Sequence, residues 1–401
     1  MENGIGYGGA IICLRHLVRN LDKSRYEAMV ITGRGGEQYE DIANDVRWKH
    51  IPDRHIDIAG MKQHVNNSRG VYRFGAVRLV VNQLLSRLDD LGNFLPHFLQ
   101  LLWTAARFRP DIIHANNEPL CNRAAILSGK ILHIPVVNHV RGDLGPDKGG
   151  SSIIRWLYRL PDRFITVSQW ISDSIGQFGV PQNKRDVVYD GIQLDDMDIN
   201  ADGSVFRKES GIVSTDFAVG LVGLLIPWKG QQLFLDAAAA LAGKIPGLKM
   251  MIVGGTPDDC IAYEKELRER VKRDGLEDIV VFTGHVSSMP QVYNGLDVVV
   301  GASTSPEPLG TMVIECLAMG RPLVAPDHGG SAEITAHEKT AMLFKPGDSK
   351  SLAKMIHRLH AQQGLRDQLG KAARADALSR FSVATHVQSV CEIYEEMLDC
   401  K

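Results

Sequence analysis

The chain has 401 residues, 44% of them hydrophobic and 23% charged, with a formal net charge of -2. That length calls for two hydrophobic cores, the composition excludes disorder, and the near-neutral balance excludes a generally basic nucleic-acid-binding surface. No stretch of about eighteen apolar residues occurs and no charged start precedes an apolar run, so neither a membrane-spanning helix nor a signal peptide is expected.

Short Ile- and Val-rich runs alternate with helix-length amphipathic stretches. The first series places strands at about 30–32, 111–114, 135–138 and 164–167, with helices at about 10–21 and 95–108. This is the βαβ rhythm of a parallel sheet covered by helices. Residues 53–110 interrupt it with no clear strand, and carry Arg54, Lys62, Arg69, Arg73, Arg78 and Arg87 among Val, Leu, Phe and Tyr. Such a helical insertion suits either peripheral contact with a membrane or anionic lipid-linked acceptor, or an ordinary solvated face.

A stretch rich in Asp and Gly, residues 191–203, is expected as a linker. The rhythm then restarts, with strands at about 217–225, 248–253, 279–282, 298–301 and 322–325, and helices at about 231–242 and 261–274. The predicted organisation is α/β: two Rossmann-like domains, 1–190 and 204–383, facing across a cleft. A final helix within 384–401 is expected to cross back to the first domain. Open α/β sheets bind ligands at the carboxyl ends of their strands, so candidate chemistry is sought there. The six cysteines are scattered with no CxxC pair. This suits a reducing, cytoplasmic setting and argues against a disulfide framework or a zinc site.

The run Ser303-Thr304-Ser305-Pro306-Glu307-Pro308-Leu309-Gly310-Thr311-Met312-Val313-Ile314-Glu315 follows a predicted strand and enters a helix expected to begin near Leu309. Helix N-termini present free N–H groups and partial positive charge, which suits a diphosphate, and Gly310 removes a side chain where a phosphate approaches. Glu307 before the helix and Glu315 within it would flank a bound nucleoside diphosphate sugar, one carboxylate meeting sugar hydroxyls and the other the ribose. Lys229, at the strand-to-helix turn Leu225-Ile226-Pro227-Trp228-Lys229-Gly230, would neutralise the departing diphosphate.

With these motifs the chain resembles the retaining family 4 glycosyltransferases of GT-B fold. The likeness rests on Val222 to Gly230, Val253-Gly254-Gly255, Val281 to Val286, the E-x7-E pair Glu307/Glu315, Met319 to Ala325 and Gly329 to Glu333. It continues in the first half at Gly8-Gly9-Ala10, Val167-Ser168-Gln169-Trp170 and Gly191-Ile192. The resemblance implies Glu307 at the donor sugar and Glu315 at the ribose. It places Lys229 with the backbone of Leu309, Gly310 and Thr311 at the diphosphate, the backbone from Gly284 to Val286 at the base, and Gly8 and Gly9 at the phosphates from the other domain. It also implies retention of anomeric configuration without a metal, and a UDP-, GDP- or ADP-sugar donor. The acceptor would be a glycan or lipid-linked glycan, as in polysaccharide or cell-envelope glycan biosynthesis.

Three positions depart from the family pattern. Leu224 stands where the family usually has Arg. Arg141 stands where many members have an active-site His, with His139 two residues earlier; both are active-site candidates. Only seven residues precede Gly8, so the first domain is expected to be short of its first strand.

Rival readings are weaker. Gly4-x-Gly6-x-x-Gly9 fits the dinucleotide fingerprint, but lacks its preceding strand and the acidic residue at the end of the second strand. Asp196-Met197-Asp198 is a bare DxD within the expected linker. A GT-B-fold sugar-nucleotide epimerase or a catalytically weak sugar-nucleotide binding protein remains an alternative.

Overall fold

The computed structural model describes residues 1–2, 9–67, 75–142 and 152–399. They form two compact units. The first comprises Met1–Val167, Ile171–Val188 and Val387–Lys401, and the second comprises Ser168–Trp170 and Tyr189–His386.

In the first unit the strands are β1 (Met29–Thr32), β2 (Arg47–His50), β3 (Ile113–Asn116), β4 (Val136–Val140), β5 (Arg163–Thr166) and β6 (Arg185–Val187). β1 and β2 pair in parallel, and β3 to β6 make a parallel four-stranded sheet in that order. The two pieces meet through Glu2, which bridges in parallel to both Thr32 and Asn116. Its N–H donates to the Ile31 carbonyl at 2.9 Å, and the Asn116 N–H donates to the Met1 carbonyl at 2.8 Å. Glu2 thus stands between β1 and β3 and joins them. Beside it lies a cavity of about 460 Å³ lined by Leu14, Leu17 and Val18, by Leu101, and by Tyr394 and Leu398 of the last helix. That helix, Val383–Asp399, therefore packs within the first unit from Val387 onward. Within 53–110 the described residues form Ile58–Asn67, Gly75–Asp89, a π turn over Asp90–Phe94, and Leu95–Phe108.

The second unit holds β7 (Phe217–Val222), β8 (Leu248–Val253), β9 (Val280–Gly284), β10 (Val298–Val300), β11 (Leu323–Pro326) and β12 (Met342–Phe344). They form one parallel sheet in the order β12-β11-β10-β7-β8-β9. The β7 strand is buried along its whole length, and with β8, β10 and the helix Gln231–Leu241 it builds a core from Val219, Leu221, Ile252, Val300, Phe234 and Leu235. An all-parallel sheet needs both faces covered, which is why these strands read as unbroken apolar runs. Between β7 and β10 the strand order reverses direction, the kind of junction where doubly wound sheets open a crevice.

Residues 191–203 pack within this second unit. Ile192 bridges to Ser382, and the Asn294 amide donates to the carbonyls of Ile199 and Ala201 at 3.1 and 2.9 Å.

Candidate active site

The turn after β7 is built from glycines. Gly223 and Gly254 adopt φ of 148° and 147°, and a Cβ on Gly254 would lie 2.0 Å from the Gly223 carbonyl oxygen. Gly230 has φ 79°, and its Cβ would lie 1.9 Å from the Ala302 carbonyl oxygen. No side chain fits either place, so the turn 223–230 presses directly on the end of β10. There the Thr304 N–H donates to the Trp228 carbonyl at 2.8 Å. The turn delivers Lys229 Nζ to 2.9 Å from Glu307 Oε1, with the two side chains 20% and 12% exposed. The Ser303 hydroxyl donates to the same carboxylate oxygen, and Lys229 Nζ lies 4.5 Å from the centre of the Trp228 ring. Lys229 and Glu307, 78 positions apart in sequence, thus form one charged pair at the carboxyl ends of β7 and β10.

A second pair of glycines fixes the Glu307 loop. The Gly330 N–H donates to the Glu307 carbonyl at 2.8 Å. Gly329 adopts φ 60°, and its Cβ would stand 2.8 and 2.9 Å from the Glu307 carbonyl oxygen and nitrogen; on Gly330 a Cβ would stand 2.4 Å from Leu309 Cα. Leu309 is buried. The following helix runs Thr311–Ala318, starting two residues later than the sequence suggests, because Gly310 adopts φ 95°, ψ 70°. No side chain caps it, so its first-turn N–H groups carry their partial positive charge toward the Glu307 loop.

Glu315 therefore sits in the second turn, roughly 6 Å along the axis from Thr311. The Tyr293 hydroxyl donates to Glu315 Oε2 at 2.7 Å. Burial raises the Glu315 carboxyl above its usual range against the opposing pull of that bond, and pushes the Tyr293 phenol well above its own. On the far side of β8, Gly284 ends β9 with φ 69° and its carbonyl accepts from the Gly254 N–H at 3.0 Å, with half-buried Val286 in the loop beyond. Leu224 is exposed, and its carbonyl accepts from the buried Gln231 amide at 2.9 Å.

In the first unit the strand ends of β3 and β4 hold a buried polar network. Arg141 Nε donates to Asn116 Oδ1 at 2.7 Å, and Arg141 Nη2 lies 3.4 Å from His139 Nδ1. The amides of Asn116 and Asn117 donate to the Glu2 carboxylate. His139 is fully enclosed, its ring 5.4 Å from that of His114, while Arg141 keeps a sliver of exposed surface. Gly9 is the exposed first residue of the helix Gly9–Asn20. Gly8, Gly4 and Gly6 lie outside the described residues.

Several supporting residues gave no sequence signal of their own. Tyr293 is 22 positions from Glu315 and sits inside an ordinary amphipathic helix. Ser303 precedes Glu307 by four residues, a spacing that could have been noticed. Glu333 accepts from the N–H groups of Gln169 and Trp170 at 2.7 and 3.1 Å, and from the Tyr189 hydroxyl at 2.9 Å. It anchors the 168–170 segment to the second unit. Among the described residues no group of three or more His, Cys, Asp or Glu side chains could hold a metal ion, and no helix is long and apolar enough to cross a membrane.

Comparison with known proteins agrees with this architecture. Residues 7–196 match the family model described as Glycosyltransferase Family 4, and residues 204–376 match Glycosyl transferases group 1. The chain is 28% identical over 308 residues to an uncharacterised glycosyltransferase of Methanocaldococcus jannaschii, covering 72% of this chain and 76% of the relative. It is 29% identical over 218 residues to the lipopolysaccharide core biosynthesis mannosyltransferase LpsB of Rhizobium meliloti. That match covers 53% of this chain and spans only 61% of the relative's length. Among solved structures, HepE of Anabaena in complex with UDP-glucose superposes with a TM-score of 0.79 at 25% identity, over 98% of each chain. The two family models, the glycosyltransferase relatives and the shared pair of Rossmann-like domains place this chain in the group 1, family 4 glycosyltransferases of GT-B fold.

Proposed function

We propose that this protein is a retaining hexosyltransferase that moves a sugar from a nucleoside diphosphate sugar to a hydroxyl of a glycan or lipid-linked glycan, without a metal ion. The observation that carries this reading is the Lys229–Glu307 pair standing before the uncapped helix Thr311–Ala318, with Glu315 in its second turn. The diphosphate would lie on the N–H groups from Gly310 to Thr311 and draw Lys229 away from Glu307. Glu307 would then be free to accept hydrogen bonds from the donor sugar. Glu315, already desolvated and held by Tyr293, would accept from the ribose hydroxyls. The backbone from Gly284 to Val286 would border the base.

The bond broken is that between the anomeric carbon and the diphosphate oxygen, and the bond formed joins that carbon to the acceptor oxygen on the same face. The acceptor proton passes to the departing phosphate oxygen. Lys229 and the helix N-terminus stabilise the charge that develops there, the task a metal performs in other transferases. Arg141, fixed by Asn116 and backed by His139, is the first unit's own candidate for substrate contact. Uridine is the base we favour, because HepE, similar over almost the whole chain, was solved with UDP-glucose. We place the reaction in the cytoplasm, at the inner face of a membrane.

Incubation with UDP-, GDP- and ADP-sugars tests the proposal. Slow donor hydrolysis, or transfer to an acceptor with the anomeric configuration kept, is expected with one base. Interconversion of sugars without transfer would point to an epimerase, and tight binding without turnover to a silent binding protein; either would overturn it.

A further inference from the structure

The helix Gly75–Asp89 has no buried residue, yet it is rich in Leu and Val. It runs without a break through the π turn at Asp90–Phe94 into Leu95–Phe108, the residues on either side of that turn being fully helical. Val80, Leu84, Leu88, Leu91, Leu95, Leu99 and Trp103 are all exposed, Leu84 by 64%, Leu91 by 65% and Trp103 by 61%. They recur every three or four residues. At 100° per residue an unbroken α-helix would swing this stripe by about 140° between Val80 and Trp103. One π turn accommodates an extra residue and brings the drift down to about 40°. The π turn therefore keeps the apolar side chains on one face over roughly 35 Å. The opposite face of the later helix is committed to the core through His97, Leu101, Thr104 and Ala105.

Cations border this stripe. Lys49 Nζ and the Arg107 guanidinium lie 5.4 and 5.8 Å from the Trp103 ring centre. Arg78 and Arg87 are exposed on the first helix, and Lys62 reaches it by donating to the Ser86 hydroxyl at 2.9 Å. Residues 51–110 carry eight Lys or Arg against four Asp or Glu, within a chain that has 45 against 47. The remainder of the protein is thus acid-rich, while the segment of sequence that carries the apolar stripe is net positive.

We infer that this face is a membrane-docking surface: the stripe from Val80 to Trp103 lies in the interfacial layer of a bilayer containing anionic phospholipid. An amphipathic helix with Leu on one face, cations at its borders and an amphipathic indole at one end is suited to that layer. A second copy of the chain would bring one net-positive face against another, which disfavours self-pairing through the same stripe. The inference does not depend on the donor reading, since vesicle binding is measured with no nucleotide present.

The test is co-sedimentation of the full chain with phosphatidylcholine vesicles carrying about 30% phosphatidylglycerol, compared with phosphatidylcholine alone. Binding to the anionic vesicles is expected, weakened at least about tenfold by added salt because the cationic share is screened. The double variant L84Q/L99Q should lose about tenfold or more in vesicle affinity while keeping its circular dichroism spectrum. L378Q, an exposed apolar site in the second unit, should bind as the unmodified chain does. Three results would overturn the inference: no binding to anionic vesicles, equal binding by L84Q/L99Q, or a concentration-dependent dimer that L84Q/L99Q dissolves.

Discussion

Glu307→Gln and Lys229→Ala touch the two ends of one ion pair, and only the second should weaken nucleotide binding. The pair is 2.9 Å long with both side chains under a third exposed. In the unliganded protein Lys229 is committed to Glu307, whereas a bound diphosphate would claim it. Lys229→Ala removes a charge-assisted bond to phosphate worth about 1.5–3 kcal/mol, a loss of about 10–150-fold in UDP affinity. Glu307→Gln keeps the shape, removes a carboxylate near the phosphates and releases Lys229 from its unliganded partner. The released pairing is worth at most about 1 kcal/mol, so UDP should bind as before or up to about fivefold tighter. The same variant exchanges the charged acceptor for the donor sugar for a weaker neutral amide, so the UDP-sugar should gain little over UDP, and turnover should fall strongly. Isothermal calorimetry with UDP and UDP-glucose at one fixed ionic strength reads all of this, with melting curves showing that the second unit remains folded. If Glu307→Gln weakens UDP as much as Lys229→Ala does, or Lys229→Ala leaves UDP affinity unchanged, the assigned geometry is wrong.

The desolvated Glu315 gives a prediction in pH. Its carboxyl is raised in the folded protein, so the folded state holds that proton more tightly than the unfolded chain does. The resulting stability is complete below the ordinary carboxyl range and is lost as pH rises through the raised value. Glu315→Gln cannot ionise, and near neutral pH it should melt higher than the unmodified chain while binding UDP about tenfold more weakly; a lower melting temperature at neutral pH would contradict this. Tyr293→Phe leaves that carboxylate without its hydroxyl donor and should cost about 1–3 kcal/mol by urea unfolding, more at pH 8 than at pH 5. A variant of unchanged stability at both pH values would show the bond to be idle. Gly330→Ala sets a methyl 2.4 Å from Leu309 Cα, hard against neighbouring backbone, and should cost about 1–3 kcal/mol and most of the turnover. Gly364→Ala, where a Cβ meets nothing within 4 Å, should be neutral or slightly stabilising. Equal behaviour of the two alanines would mean that the Glu307 loop is not held as described.

Much of the second unit was legible because its strands are buried on both faces. Phe217–Val222 and Leu248–Val253 carry no polar interruption beyond Lys249, and the strand Leu248–Val253 has the bounds expected of it. The end of the helix Leu95–Phe108 was also legible, closing at Arg109 in the left-handed region with φ 55°, but its continuity with the helix before it, through the π turn, was not. The strand Arg47–His50 was missed because Arg-Trp-Lys-His at a sheet edge has no apolar pattern to see, and Met342–Phe344 because three residues are too few. The site divided the same way. Glu307, Glu315 and Lys229 were readable from their places around turns that glycine and proline mark. Their partners Tyr293 and Ser303, and the requirement for glycine at 329 and 330, arise from chain crossings that no local pattern encodes. The start of the chain was read as short of a strand; Glu2 bridges both Thr32 and Asn116, a pairing that no apolar pattern at that position signals.

The most direct test of the central claim is a crystal structure of the protein with UDP bound. The diphosphate should lie within hydrogen-bonding distance of the Thr311 backbone N–H and of Lys229 Nζ, now turned away from Glu307, with the ribose hydroxyls on Glu315. Diphosphate density elsewhere, with the Lys229–Glu307 pair intact, would contradict the account.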